Sequence, residues 1–241
     1  MRTALITGAS GVIGGACAKA LGEKGYALAF QYHDHPERAQ ALVKTLPEDT
    51  PVLLCHADIT RENDVTALFK AIEQRMGRVD LLVNCAGVAL PQKVLVDVSE
   101  AEMDRLYSVN VKGAMLLTKG AIPHMLKKEG GAIVHLSSMW GLTGGACEAV
   151  YSASKGALNG FVKAMAKELA PSHIRVNAVA PGLVPSPMNA SLHEEDLIVF
   201  QEETPLGKLI TPEQVADAVC YLAEAEMVTG QILSVDGGIV I

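Results

Sequence analysis

Short apolar segments alternate with segments of helical periodicity along the whole chain. Several apolar runs are continuous, as in residues 80–84, and this is the pattern of strands that are buried on both faces of a parallel sheet. The runs predict strands at residues 3–7, 27–32, 51–56, 80–84, 131–137, 174–179 and 231–235. The periodic segments predict helices at residues 13–24, 36–46, 61–76, 101–127, 151–170 and 212–224.

This alternation predicts an α/β fold, a single Rossmann-type doubly wound parallel sheet of about seven strands with helices on both faces. With 241 residues, of which 49% are apolar, the chain is long enough to bury one such core, so residues 1–241 are expected to form a single domain. Ligands of these folds bind beyond the carboxyl ends of the strands. The residues that follow each predicted strand are therefore the first candidates for a functional site.

A glycine-rich turn follows the first predicted strand and leads directly into the first helix. Its candidate ligand-binding residues are Gly8, Ser10, Gly11, Val12, Ile13 and Gly14. Glycines permit a tight turn and let backbone N–H groups approach a phosphate, while the helix N-terminus adds positive potential. The position between strand and helix predicts a dinucleotide phosphate site, and an ordinary glycine turn is the alternative.

Two further strands end in residues that suit a nucleotide. The third ends near Asp58 and Ile59, where Asp58 is placed to accept a hydrogen bond from an adenine amine, or else serves as a helix cap or surface charge. The fourth ends in Asn84, Ala86 and Gly87, whose small size lets the backbone lie close to a cofactor, unless they form a plain turn.

Tyr151 and Lys155 are four residues apart in a predicted helix, so their side chains share one face. A neighbouring ammonium favours the phenolate, and Lys155 is therefore expected to lower the pKa of Tyr151. The spacing taken alone also fits a solvated helix face. Asn110 lies in an apolar helical stretch, where a polar side chain needs a partner, so it is either a site residue or a satisfied core amide.

These segments together resemble the short-chain dehydrogenase/reductase family over essentially the whole chain, as do residues 174–182 and 229–238. The resemblance implies a catalytic tetrad of Asn110, Ser138, Tyr151 and Lys155. Ser138 would bind the ketone oxygen, Tyr151 would protonate it, and Lys155 would hold the cofactor ribose; Asn110 would hold a helix kink and a water. Further cofactor contacts are implied for Tyr151, Lys155, Pro181, Gly182, Val184 and Ser186.

The segments at 205–216 and 229–238 are most similar to reductases of 3-oxoacyl thioesters on acyl carrier protein, enzymes of fatty acid synthesis. Residues 138–148 are also similar to a branch that reduces a 5-aminopentanone group on elongation factor P. Ser138, Trp140 and Glu148 would then face the substrate, with Glu148 either paired to an amine or a surface or interface charge. A non-catalytic dinucleotide sensor is the alternative of another class, and the intact tetrad argues against it.

Residues 185–210, with Pro185, Pro187 and Pro205, are expected to form a mobile lid that selects the substrate. The cofactor is expected to be NADPH, with NADH as the alternative. An acid at the end of the second strand would exclude a 2′-phosphate. Here that strand ends in Tyr32 and His33, and His33 can donate to a phosphate, whereas Asp34 is the first acid.

Net charge and cysteine content limit the classes of partner that the protein is expected to bind. The net charge is −7 and no run of Lys or Arg exceeds two residues, which argues against nucleic acid and anionic membranes. Five cysteines without a C-x-x-C pair indicate free thiols, no metal site and a cytoplasmic protein. Helices with apolar residues on more than one face predict a homotetramer, or at least a dimer, packed through Ala153, Gly156, Ala157 and Gly160.

Overall fold

Seven parallel strands organise the protein, in the order β3-β2-β1-β4-β5-β6-β7. The structure is a computed structural model and describes residues 1–189 and 192–240. The strands are β1 Thr3–Thr7, β2 Ala27–Tyr32, β3 Val52–His56, β4 Leu81–Asn84, β5 Gly131–Leu136, β6 Ile174–Pro181 and β7 Ile232–Val235. The doubly wound sheet and its strand positions confirm the prediction from the apolar runs.

Helices cover both faces of the sheet. They are α1 Val12–Glu23, α2 Pro36–Val43, α3 Glu62–Met76, α4 Glu100–Tyr107, α5 Ala114–Leu126, α6 Trp140–Thr143, α7 Ala149–Leu169, α8 Glu194–Glu203 and α9 Pro212–Glu224. One apolar cluster packs α1 and α9 against the sheet, and a second packs α3, α5 and α7 on the opposite face. In the described part of the chain, no helix has the length and hydrophobicity that a membrane span requires.

The predicted helix at 101–127 is not continuous. A π-helical turn at Ser108–Gly113 separates α4 from α5. Such a turn adds a residue to the helical repeat and is a usual cause of a kink. Periodicity could not reveal it, because α4 and α5 continue the same apolar pattern on either side.

The expected lid also contains regular structure. A 3-10 turn at Pro187–Asn189 and helix α8 lie within residues 185–210, while residues 190–191 of this segment lie outside the described residues. Asn189 fixes the turn, because its Oδ1 accepts hydrogen bonds from the Ser186 N–H and hydroxyl at 2.8 and 3.0 Å. Its amide nitrogen donates to the Val184 carbonyl at 3.0 Å.

A buried chain of polar groups ties together the carboxyl ends of the central strands. The Thr7 hydroxyl donates to Asn84 Oδ1 at 2.6 Å, and Asn84 Nδ2 lies 3.2 Å from His135 Nδ1. His135 Nε2 in turn lies 3.2 Å from the Thr118 hydroxyl. Every member is buried, so each needs these partners. These hydrogen bonds therefore hold the carboxyl ends of β1, β4 and β5 in place, and the residues of the site follow those strand ends.

We predict that His135 makes stability depend on pH. Burial and the nearby Lys155 ammonium lower the pKa of His135 to about 3, whereas an unfolded histidine titrates near about 6.5. Below that value only the unfolded chain takes up this proton. The free energy of unfolding should thus decrease as pH falls, by at most about 1.4 kcal/mol per pH unit from this group.

Urea unfolding of the wild type and of His135→Gln at about pH 7 and about pH 5 measures this contribution. The glutamine keeps polar atoms for Asn84 and Thr118 but does not titrate. Its free energy of unfolding should change less between the two pH values than that of the wild type. Equal changes in both proteins would contradict the prediction.

Candidate active site

A cavity of about 150 Å³ opens beyond the carboxyl ends of the strands. Much of its wall is apolar and comes from the loop after β4, from α6, from the connection after β6 and from α8. Representative side chains are Leu90, Trp140, Leu183, Met188 and Phe200. The rings of Trp140 and Phe200 meet edge to face, with centroids 6.4 Å apart. The cavity suits a substrate with an apolar portion.

Ser138, Tyr151 and Lys155 come together at one side of this cavity. Ser138 follows β5, while Tyr151 and Lys155 project from the first turns of α7. Ser138 and Tyr151 both line the cavity, and the Ser138 hydroxyl acts to lower the pKa of the Tyr151 phenol. Lys155 Nζ lies 5.6 Å from the centre of the Tyr151 ring and donates to the Leu136 carbonyl at 2.7 Å. The helical spacing of Tyr151 and Lys155 thus serves a buried constellation rather than a solvated face.

Burial, rather than the lysine, controls the pKa of the phenol. Desolvation raises the pKa of Tyr151 to about 12; the nearby Ser138 hydroxyl acts in the opposite direction, and the Glu148 carboxylate raises the pKa further. Burial lowers the pKa of Lys155 to about 8. The expected net lowering of the phenol pKa is therefore wrong, because the effect of burial is larger than that of the groups around the phenol. Near neutral pH, both Tyr151 and Lys155 keep their protons.

Asn110 lies in the π-helical turn, where the resemblance placed a helix kink. Its Oδ1 accepts from the Val88 N–H and its Nδ2 donates to the Val88 carbonyl, both at 2.9 Å. Nδ2 also lies 3.3 Å from the Ser154 hydroxyl. The amide is satisfied within the protein, so it joins the turn to the loop after β4. A Cβ at Gly87 would lie 3.3 Å from Asn110 Oδ1 and 3.6 Å from Lys155 Nζ.

The glycine turn after β1 fits a phosphate-bearing cofactor. Gly8 has φ +61°, and a Cβ there would lie 2.9 Å from the Ala86 backbone, so glycine is required. Gly14 is equally restricted, because a Cβ would collide with the Gly8 carbonyl. Helix α1 begins after Gly11 without a side-chain cap and without an acid in its first turn. Its N-terminus thus offers backbone donors and positive potential to an anion.

Asp58 and Ile59 lie beyond β3, where adenine was expected. The Asp58 carboxylate accepts from the Thr60 N–H at 2.9 Å and from its hydroxyl at 2.7 Å. Burial raises the pKa of Asp58, but the Thr60 hydrogen bonds and nearby His33 outweigh this effect and hold it below its usual value. Asp58 thus stabilises the turn, and one oxygen remains for a ligand. The Ile59 side chain packs on Gly113 of the π-helical turn.

The remaining predicted residues divide between the cavity and the protein interior. The backbone after β6 contributes Pro181, Gly182, Val184 and Ser186 to the cavity wall. Asn84 points inward, as described above, so its amide is engaged within the protein and its backbone is left to face a cofactor. Glu148 reaches the cavity, and burial alone raises its pKa. Trp140 also lines the cavity, and its ring lies opposite that of Phe200.

Sequence reasoning missed the residues that hold α6 against α7. The Ser137 hydroxyl donates to Asn159 Oδ1 at 2.6 Å, and Asn159 Nδ2 donates to the Gly141 carbonyl at 2.9 Å. A Cβ at Gly141 would lie 2.7 Å from Lys155 Cβ. Asn159 could have been found, because it continues the four-residue spacing of Tyr151 and Lys155. Asn189 and Phe200 carried no comparable signal.

Comparison with known proteins places this geometry in a family. Residues 8–240 match the family model described as Enoyl-(Acyl carrier protein) reductase. The uncharacterized oxidoreductase YmfI of Bacillus subtilis is 38% identical over 98% of both chains. The human 3-oxoacyl-[acyl-carrier-protein] reductase is 40% identical, covering 97% of this chain and 96% of its own.

A solved structure gives the same result. The 3-ketoacyl-(acyl-carrier-protein) reductase from Brucella melitensis, complexed with NADH, superposes with a TM-score of 0.92 at 32% identity. The match covers 100% of this chain and 98% of that one. A short-chain dehydrogenase/reductase of Serratia marcescens gives the same TM-score at 33% identity over the same shares of the two chains. The chain therefore belongs to the short-chain dehydrogenase/reductase family of nicotinamide-dependent oxidoreductases.

Proposed function

We propose that the protein reduces a ketone to a secondary alcohol with NADPH, and that the ketone is a 3-oxoacyl thioester on acyl carrier protein. The observation that carries the reaction type is the placement of the Ser138 and Tyr151 hydroxyls together at an apolar cavity, beside the Lys155 ammonium. The printed names of the human and Brucella melitensis relatives support the thioester. The cavity wall formed by Leu90, Trp140 and Phe200 suits an acyl chain.

The protonation states of these residues fit reduction. The cofactor, when bound, would supply the hydride. Ser138 would donate a hydrogen bond to the carbonyl oxygen and orient it towards Tyr151. As the oxygen becomes negative, the Tyr151 phenol transfers its proton to it, and the alcohol and a phenolate result. A pKa of about 12 keeps that proton in place at neutral pH, and the Lys155 ammonium stabilises the phenolate that remains.

The cofactor preference rests on the residues after β2. The glycine turn, the uncapped start of α1 and the backbone of residues 84–87 suit the part of the cofactor that NADH and NADPH share. NADPH differs from NADH only in its 2′-phosphate. His33 follows β2, and proteins of this fold contact that part of the adenosine ribose with residues after the second strand. We also propose that residues 185–210 close over the substrate, because α8 brings Phe200 against Trp140.

A second candidate substrate is favoured by the charge around the cavity. Glu148 places a carboxylate at its wall, and α8 carries five acidic residues and no basic one: Glu194, Glu195, Asp196, Glu202 and Glu203. A carboxylate beside an apolar cavity suits a substrate that carries an amine. The alternative is thus the 5-aminopentanone group on elongation factor P, reduced by the same chemistry.

We predict that Tyr151→Phe lowers kcat for ketone reduction by at least about 100-fold, because the proton donor is lost. Affinity for NADPH should stay within a few fold. Steady-state kinetics and calorimetric titration measure the two quantities. Tyr221→Phe is the matched control, since Tyr221 is an exposed tyrosine of α9, and it should behave as the wild type. A Tyr151→Phe enzyme that kept more than about a tenth of kcat would disprove the assigned role.

Glu148→Gln should separate the two substrates. If the substrate is an amino ketone, the substitution should raise KM about tenfold, because the carboxylate that pairs with the ammonium is lost. KM for an acetoacetyl thioester should barely change. Glu48→Gln, an exposed acid in the connection before β3, is the control. Turnover of the thioester but not of amino-ketone-modified elongation factor P would reject the second candidate, and the reverse result would reject the first.

We further propose that the protein assembles as a homotetramer. Helix α7 exposes a face of small residues, Ala153, Ala157 and Gly160, and no atom lies within 4 Å of a Cβ built at Gly160. Val94, Leu95 and Val96 are large apolar residues that are at least half exposed. Burying both surfaces requires other copies. Light scattering at micromolar concentration should give four times the chain mass, and a monomer would contradict this proposal.

A further inference from the structure

One buried amide on α7 holds both ends of the short segment that contains Ser138. Asn159 Oδ1 accepts a hydrogen bond from the Ser137 hydroxyl at 2.6 Å, and its Nδ2 donates to the Gly141 carbonyl at 2.9 Å. Asn159 and Ser137 are both buried. Ser137 follows β5 and Gly141 lies in α6, on either side of Ser138. The Asn159 side chain therefore connects the end of β5, the start of α6 and the middle of α7.

The start of α6 depends on this contact. Helix α6 is a single turn of four residues, and so short a helix is not stable by itself in water. Gly141 lets it approach α7 closely, since a Cβ there would lie 2.7 Å from Lys155 Cβ and 3.1 Å from Asn159 Nδ2. The Gly145 N–H donates to the Ser152 hydroxyl at 3.1 Å, but this bond lies beyond the end of α6. Asn159 therefore supplies the polar contact at its start.

The conformation of this segment determines what the Ser138 hydroxyl can offer to a substrate. Ser138 Oγ accepts a hydrogen bond from the Trp140 N–H at 3.2 Å, and the Gly141 N–H donates to the Ser138 carbonyl at 2.9 Å. A serine hydroxyl has one hydrogen to donate and two lone pairs that accept. Because the Trp140 N–H takes a lone pair, the hydrogen of the Ser138 hydroxyl stays available to a ketone oxygen in the cavity.

We propose that Asn159 is a positioning residue that holds Ser138 and Trp140 in place at the cavity. Among the described residues, the cavity wall includes Ser138 and Trp140 but not Asn159, so Asn159 acts through the other two. Asn159 follows Tyr151 on α7 by two steps of four residues, and one helix thus positions both the proton donor and the hydroxyl that orients the ketone. The inference rests on the proposed function for the role of Ser138 in the reaction, but not for the placement of the segment.

The fluorescence of Trp140 tests the placement directly, because Trp140 is the only tryptophan of the chain. Its half-buried ring lies against Phe200 and close to the backbone at Gly145. Asn159→Leu keeps a side chain of similar size but removes both hydrogen bonds. In this variant the emission should shift to longer wavelength and acrylamide should quench it more strongly, because α6 is no longer held and the ring becomes more exposed to water.

Asn177→Leu is the matched control. Asn177 is a second buried amide with the same two kinds of bond, since its Oδ1 accepts from the Gln231 N–H at 3.0 Å and its Nδ2 donates to the Val228 carbonyl at 2.8 Å. It joins β6 to the connection before β7. Both leucine variants should lower the free energy of unfolding, because each leaves buried partners unsatisfied. Only Asn159→Leu should change the Trp140 fluorescence and the turnover.

Steady-state kinetics with an acetoacetyl thioester test the consequence for Ser138. In Asn159→Leu, kcat should fall about 10- to 100-fold, because a small displacement of a group that orients the substrate has an effect of this size. Affinity for NADPH, measured by calorimetry, should not change, because Lys155 keeps its hydrogen bond to the Leu136 carbonyl. When Ser138→Ala is already present, adding Asn159→Leu should lower kcat much less, because the hydroxyl that Asn159 positions is absent.

The outcomes separate this inference from the proposed function. Wild-type Trp140 fluorescence in Asn159→Leu, or an equal change in Asn177→Leu, would overturn the positioning role while leaving the reductase assignment intact. So would a kcat that falls by the same factor whether or not Ser138 is present. Asn159→Ser, whose side chain is too short to reach both partners, should give the same changes and replaces the leucine variant if that does not fold. A wild type that reduces no ketone would reject the proposed function, and the fluorescence comparison would still decide whether Asn159 holds the segment.

Discussion

Burial of the Lys155 ammonium is the constraint on which the catalytic geometry depends. A charge removed from water is costly unless polar groups surround it. Lys155 meets this cost by donating to the Leu136 carbonyl at 2.7 Å, at the end of β5. That contact fixes α7 against the strand end, and with it the phenol of Tyr151 one turn earlier. Gly141 allows the chain after Ser138 to approach Lys155, since a Cβ there would lie 2.7 Å from Lys155 Cβ. The burial of Lys155 therefore fixes the position of the Tyr151 phenol and also places a positive charge beside it.

Burial also determines which proton moves. Desolvation raises the pKa of the phenol to about 12 and lowers that of the ammonium to about 8, so the two values move apart. Both groups remain protonated near neutral pH, and the phenol is ready to give a proton to a developing alkoxide. Alcohol oxidation would need the phenolate, which this environment disfavours. These protonation states fit the proposed reduction, and the sequence argument failed on the phenol pKa because it counted the neighbouring charge but not the missing solvent.

Patterns with a regular period could be predicted from the sequence, and contacts between elements could not. The strands follow from continuous apolar runs, and the phosphate turn follows from glycines between a strand and a helix. The kink at Asn110 lies in an uninterrupted apolar pattern, so only the resemblance pointed to it. Asn84 was expected to contact the cofactor. Its amide instead contacts Thr7 and His135, because the order of the strands brings those residues beside it. Helix α8, which carries Phe200, was not predicted because it lies in a proline-containing segment.

The groups that perform the chemistry and those that select ligands differ in exposure. Ser138 and Lys155 are buried, as is Asn110, and their partners are other parts of the fold, so replacing any of them disturbs packing as well as reactivity. His33 and the acids of α8 are exposed, and Glu148 is half-buried at the cavity wall. Substitution there changes charge at little cost in stability. The residues that select ligands can therefore change with little effect on the fold or on the groups that perform the reaction.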